Sequence, residues 1–411
     1  MQLNRRGLLL GGLAVMALAG CAAPRTERLA GTAAHQQLPL TTPSVPDLVA
    51  VSRDLAWQLM QLEDHAGNTV VSPASLVSAL ALIRLGASGS TAESLDRVFG
   101  MGAQEGAAAT NALRTAMSGY DSLPEKVDAK HPPERPVLHQ ESHLLIIDDA
   151  AVRPAFLDDA ARYFSSTMER TERGSAKAAL DAWVTKHSAG LIKESAVTVR
   201  PDSLLVLQDA ILFAAAWRTR FDREEPLLFR RPGGQSVTVD GIMHTFRCPH
   251  VDQDGWQAIR LPYTEAFAVD IILPPERISP HEADATRLAR IRELLDSAAQ
   301  REVMVHLPTL DTRSTLDLSA LLARHGVEFK EVDGIFPEAV VGEATQQARL
   351  QITAQGTVGA AVTEIMVVEV AAPGTEGALP FVVDRPYLMD IAFEATGWSL
   401  FLAAISDPTL Q

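Results

Sequence analysis

The chain has 411 residues, with 36 Lys or Arg against 51 Asp or Glu, a formal net charge of −15. Hydrophobic residues make up 47% and charged residues 21%, a globular balance that excludes general disorder. An acidic chain without a long basic run excludes nucleic acid and anionic membrane surfaces as expected partners. The densest positive stretch, Arg218 to Arg231, is interleaved with Asp222, Glu224 and Glu225, as on a solvated mixed-charge face.

The first predicted element is an export signal. Arg5 and Arg6 precede an apolar stretch, Gly7 to Ala17, shorter than the about 20 residues a membrane span needs. Leu18 to Cys21 resembles the bacterial lipobox, after which residues 1–20 are cut away and Cys21 carries lipid. Several acyl chains on one cysteine anchor stably where a single chain would be marginal. Arg5 and Arg6 also resemble a twin-arginine signal. The expected product is exported and held on the outer face of a bacterial membrane, at the cell surface or in the periplasm, touching the bilayer only through its lipid. Residues 22–46 lack a sustained apolar period and are rich in Ala, Thr and Pro. Residues 21–46 are therefore expected to be the lipidated Cys21 and a flexible stalk. The second cysteine, Cys248, is expected to be an unpaired, buried apolar filler.

At roughly 150 residues per domain the length allows two or three domains. No later stretch reads as a linker, however, and residues 47–411 are expected to form one unit. Pro46–His65 places Leu48, Val51, Leu55, Leu59 and Leu62 at helical spacing. Ser72–Leu85 is a second helix with Pro73 at its first position, and Thr91–Phe99 a third, where Ser90 and Glu93 resemble a capping box. Helices are also predicted at Arg153–Phe164, Ala176–Ser188 and Asp284–Ala299. Strands are predicted at His143–Ile147, Leu204–Phe213, Val237–Val239, Ala258–Leu261, Ala268–Leu273, Val303–Leu307, Arg349–Thr353, Phe381–Val383, Leu388–Glu394 and Ser399–Ile405. Strands and helices without strict alternation predict the α+β class.

Enzyme signatures are missing from the sequence. There is no His-Glu-x-x-His pair, and the 11 histidines lack ligand-like spacing, so no metal or cofactor is expected. Ser88 lacks the spacing of a nucleophile elbow, and Gly100 to Gly106 misses the dinucleotide fingerprint by one residue.

One segment stands out. Gly356 to Ala371 contains no proline, only Glu364 and Glu369 as charges, and many β-branched residues. Its alternate positions Thr357, Gly359, Ala361, Thr363, Ile365 and Val367 run from small to apolar, as a strand between close neighbours requires. Ala371 to Leu379 behind it is loop chemistry. A β-prone, nearly uncharged segment outside a sheet is an aggregation hazard, so its retention calls for a use. The other reading of its composition is a central strand followed by a loop.

From residue 47 to 409 the chain resembles the serpin family, on motifs that stand in register. These are Asn68 to Ser75, Ala210 to Asp222 with Trp217, Leu261 to Tyr263, Ile271 to Pro274, Leu307 with Pro308, Gly356 to Thr363, Asp384 to Tyr387, Gly397 to Phe401, and Asp407 with Pro408. The resemblance implies a serpin fold: a large central, mostly antiparallel β-sheet with additional sheets, surrounding helices and an exposed reactive-centre loop. It implies a hinge at Gly356, Thr357, Val358, Gly359, Ala360, Ala361, Val362 and Thr363. It also implies a shutter at Ser72, Ser75, Asp209 and Gln346, and a breach at Trp217. The implied activity is not enzymatic: a protease cleaves the loop, becomes acylated, and is trapped when the freed strand inserts into the main sheet.

Counting from Thr357 by the family's spacing puts the reactive bond at Val370–Ala371, with Met366, Val367 and Val368 as fallbacks. The loop is longer than usual, chiefly after Val370. A small aliphatic residue there suits an elastase-like serine protease of the chymotrypsin fold, with a cysteine protease as a further partner class, and a monomer is expected. Departures from the family pattern are Asp209 for Asn, Gln346 for His, Ala354 and Val358 for Glu, and Ala214–Ala216 for a Lys/Gly pattern. An Asp209–Gln346 hydrogen bond is expected to replace the usual Asn–His contact. The rival readings are a non-inhibitory surface-bound carrier of the same fold and an unrelated exported hydrolase.

Overall fold

Helix α1 (Val45–Met60) carries Pro46 in its first turn and buries Leu48, Leu55, Leu59 and Met60 along one stripe. Helix α2 (Pro73–Gly86) opens as its sequence predicts. Pro73 takes the first position and the Ser72 hydroxyl accepts from Ser75 N at 3.2 Å. The coordinates are a computed structural model that describes residues 26–128, 131–164, 166–276, 278–339, 344–358 and 377–410. Cys21, the hinge residues Gly359–Thr363, and Val370 with Ala371 lie outside the described residues.

Helix α3 (Gly89–Phe99) starts earlier than predicted, and Ser90 forms no box with Glu93. Its amide and hydroxyl instead donate to Glu331 at 2.6 and 2.7 Å, a remote carboxylate that outcompetes the local one. Helix α4 (Ala103–Met117) was not predicted. Gly100, at φ 67°, is the left-handed cap of α3, which accounts for this glycine without a dinucleotide fingerprint. The buried stripe of α4 is largely Ala107, Ala109 and Ala112, side chains too small to give an apolar period. The predicted α5 (Pro154–Phe164), α6 (Arg173–His187) and α7 (Ala285–Ser297) form with small changes of boundary, and a short α8 (Ser319–Arg324) adds to them.

The main sheet has seven strands among the described residues. In order they are β1 (Glu27–Leu29), β4 (Thr167–Thr171), β3 (Val137–Ile147), β5 (Leu205–Ala216), β13 (Gly356–Val358), β12 (Thr345–Ile352) and β11 (Leu310–Asp317). Only the β3–β4 pair is parallel. A second path runs β14 (Leu379–Val382), β10 (Gln300–Pro308), β7 (Ser236–Gln253), β8 (Trp256–Pro262), β9 (Phe267–Leu273), β15 (Tyr387–Phe393), β16 (Trp398–Ile405) and β2 (Thr69–Val71). Strand β6 (Arg223–Arg230) pairs with β7. It occupies the mixed-charge stretch, yet turns Leu227 and Phe229 inward. Strand β11 escaped prediction because Thr312 and Ser314 share its inward face with Leu310 and Leu316, which hides the apolar alternation. The principal core lies between the two sheets around α1 and α2.

Residues 22–46, expected as a flexible stalk, are docked on the domain from Thr26 onward. Strand β1 extends the main sheet, Gln36 N donates to Arg162 O at 2.9 Å, and Leu38 N donates to Asn111 Oδ1 at 3.0 Å. Backbone groups, invisible to composition, make these contacts. Cys248 is buried at 1% exposure with a free thiol, and burial pushes its pKa up to about 12.

Candidate functional site

Strand β12 turns back through Thr353–Gln355 into β13, with Thr353 N donating to Gly356 O at 3.0 Å. Strand β13 then lies between β12 and β5, antiparallel to both. Val358 faces Gln351 and Thr357 faces Ile352 on one side. Gly356, Thr357 and Val358 face Ala216, Ala215 and Ala214 on the other. The three alanines are fully buried and let the strands approach closely. A Cβ on Gly356 would collide with the Ala215 carbonyl, so only glycine fits this entry point.

Side chains of β13 alternate as a sheet strand demands. Thr357 is fully buried, and its Oγ1 lies 2.6 Å from the hydroxyl of Tyr263. Burial pushes the Tyr263 hydroxyl above its ordinary range, so it remains a protonated partner for the threonine. Trp217 stacks on Tyr263 with ring centroids 4.7 Å apart, and its Nε1 donates to Thr353 O at 2.9 Å. Trp217, expected as the breach residue, thus holds the turn that feeds β13. On the opposite face Val358 packs with Leu212 and Ala214, against Val137 and Leu191. Ala354 and Val358 are both buried, at 8% and 2% exposure. A glutamate at either would be a buried, unpaired charge.

Deeper under the sheet, the four shutter residues come together, but not by the expected contact. Gln346 bonds Ser72 twice: Oε1 accepts from Ser72 N at 2.8 Å and Nε2 donates to Ser72 O at 2.9 Å. Asp209 turns the other way, its Oδ2 accepting from Ser142 Oγ at 2.6 Å. Ser75 Oγ reaches the Asp209 carbonyl oxygen at 3.5 Å. The predicted Asp209–Gln346 bond does not form: the amide of Gln346 is engaged by Ser72 and the carboxylate of Asp209 by Ser142. Burial pushes the Asp209 pKa up to about 6, opposed chiefly by the charge of Arg114.

On the outer face, the connection from α6 to β5 crosses the sheet as a strap. Ser195 Oγ accepts from Gln208 Nε2 of β5 at 2.8 Å. Gln347 of β12 accepts from Ala196 N at 2.8 Å and donates to Glu194 O at 3.2 Å. Sequence reasoning assigned no role to Gln208, Gln347, Ser142 or Tyr263. Tyr263 lay within a quoted motif, whereas a glutamine on a strand carries no local mark of what it will span.

The family model described as "Serpin (serine protease inhibitor)" matches residues 50–408. The chain belongs to the serpin family. Alpha-1-antiproteinase 2 of Equus caballus is 26% identical, covering 98% of this chain and 97% of its own. Leukocyte elastase inhibitor of Sus scrofa is 26% identical, over 86% of this chain and 96% of its own. Among solved structures, the thermophilic serpin tengpin in its native state superposes with a TM-score of 0.75 at 16% identity, covering 92% of this chain and 97% of its own. The chain therefore has the expected α+β serpin fold, with β13 set between the strands that carry Asp209 and Gln346.

Proposed function

We propose that this serpin is a suicide-substrate inhibitor of an elastase-like serine protease, exported and anchored through lipid on Cys21. The supporting observation is β13: Gly356–Val358 already lie as a strand between β5 and β12. Strand β5 continues below Ala214 to Leu205, and β12 continues below Gln351 to Thr345. Extending the same register would set Thr363 opposite Asp209 and Gln346, since 358 + 214 = 363 + 209 and 358 + 351 = 363 + 346. The small residues Gly359 and Ala361 would then follow Thr357 on the inward face, with Ile365 and Val367 below them.

The chemistry is an interrupted hydrolysis. The protease serine attacks the Val370 carbonyl, forms an ester and releases the amine of Ala371. Water would normally cleave that ester. Insertion of the freed segment carries the acylated protease away from the hinge end and deforms its site before water acts. Each new backbone hydrogen bond nets about 0.5–1.5 kcal/mol, so a strand bonded on both sides supplies enough to oppose that deformation. Val370 suits a shallow primary pocket, and the likeness to a leukocyte elastase inhibitor agrees with that choice.

Mixing the mature protein with pancreatic-type elastase and running a denaturing gel tests the reading. An SDS-stable adduct is expected. Nicking without an adduct would overturn the inhibitor and return the protein to the non-inhibitory carrier class.

A further inference from the structure

The docked N-terminal segment fixes which end of the molecule an anchor can hold. Glu27 of β1 faces Arg170 of β4, Arg170 faces Ile146 of β3, and Ile146 faces Leu205 of β5. Glu27 therefore stands level with the first residue of β5, whereas Gly356 stands level with the last, Ala216. Eleven residues separate those levels (216 − 205), about 36 Å along the strand at ~3.3 Å per residue. Strand β1 runs from Glu27 upward to Leu29, which faces Met168 and thereby Leu144 and Leu207. The chain preceding Glu27 thus leaves at the lower end, opposite the hinge.

The attachment is built from more than the strand. Asp158 Oδ1 accepts from Thr32 N, Thr32 Oγ1 and Ala33 N at 2.6, 3.0 and 3.2 Å. Asn111, buried at 1% exposure, accepts from Leu38 N and donates to Gln36 O at 2.9 Å. Gly31 passes so near α5 that a Cβ would collide with the Leu157 carbonyl. Cys21 precedes Thr26 by five residues, which span at most about 17 Å. A free stalk from Cys21 to Pro46 would reach several times farther.

We infer that a bilayer holding Cys21 faces the lower end of the main sheet, and that Gly356, where β13 enters the sheet, lies at the opposite end, away from the membrane. This rests on the reading of Cys21 as the lipid-bearing residue. The lower end suits a headgroup surface without entering it. Three of its arginines are paired, Arg170 with Glu27 at 3.2 Å, Arg173 with Asp148 at 2.8 Å and Arg200 with Asp202 at 3.6 Å. A soluble protease then reaches the hinge end unobstructed by the bilayer, and the proposed insertion would move a trapped enzyme toward it.

Energy transfer to a headgroup-labelled acceptor in phosphatidylcholine–phosphatidylglycerol vesicles tests this orientation. Donor dyes are placed at Asp202→Cys near the lower end and at Thr219→Cys just past the upper end of β5, the native Cys248 being buried. Several-fold stronger transfer from position 202 is expected on vesicles carrying the acylated chain, and equal or reversed transfer would overturn the inference. A second chain, with a hexahistidine tag replacing residues 1–21 and held by chelating lipid, must give the same ranking. If Cys21→Ser protein floats with vesicles as well as its parent, the lipid reading fails while the tagged chain still decides the orientation. Gly31→Val with Asp158→Ala should release the segment and erase the difference in the tagged chain. A difference that survives would show that docking does not set it.

Discussion

Asp209 is a carboxyl whose titration the fold changes. Its folded pKa of about 6 stands above the ordinary 3.8, so the native state binds the proton more tightly than the unfolded chain. The stability this contributes is fully present below about pH 4 and lost as pH rises through 6. At neutral pH the ionised form costs on the order of 3 kcal/mol. Asp209→Asn is therefore expected to melt several degrees above the parent near pH 7.5, with the gap closing as pH falls to about 4. A gap independent of pH contradicts this account, and differential scanning fluorimetry reads it directly. Thr357 makes a second test. Thr357→Glu would bury a carboxylate against Tyr263, a cost of several kcal/mol that keeps β13 out of the sheet. Loop cleavage by elastase should persist while adduct yield falls by more than about tenfold. Undiminished adduct would detach the hinge from trapping. At this scale the sequence was legible where side chains act locally, as at Ser72 and Gly356. It misled at Asp209, whose partner Ser142 is 67 residues away and was chosen by the packing of β3 against β5.

Among the elements, the strap between α6 and β5 ties together the strands on either side of β13. Its ties at Gln208 and Gln347 sit on the two strands that flank β13. Removing both by Gln208→Ala with Gln347→Ala deletes hydrogen bonds worth about 0.5–1.5 kcal/mol each. The intact protein is expected to melt a few degrees lower and to form its adduct faster in a quenched time course. An unchanged adduct rate would contradict a strap that yields during insertion. Elements with a strong period were legible: α1, α2 and the C-terminal pair β15 and β16 lie within a few residues of their predicted bounds. Helix α4 and strands β1 and β11 were not. Their order comes from alanine packing, backbone pairing and buried hydroxyls, none of which leaves an apolar rhythm in the chain.

At the level of the whole molecule, the chain has the serpin fold, and the proposed trapping would depend on an energy difference between two forms of one sheet. Strand β13 is described over Gly356–Val358, between the longer neighbours β5 and β12. Extended by nine residues, Gly359 to Val367, it would match β5 down to Leu205. At ~1 kcal/mol for each added residue, the filled sheet should melt about 10 °C or more above the open one. The decisive measurement is the thermal midpoint before and after a single cut in the loop, with the cleaved chain verified by mass. A rise of that size is the predicted result. Equal or lower melting after cleavage would show that no energy is released on cutting, and would end the case for a trap in a protein that nonetheless has the serpin fold.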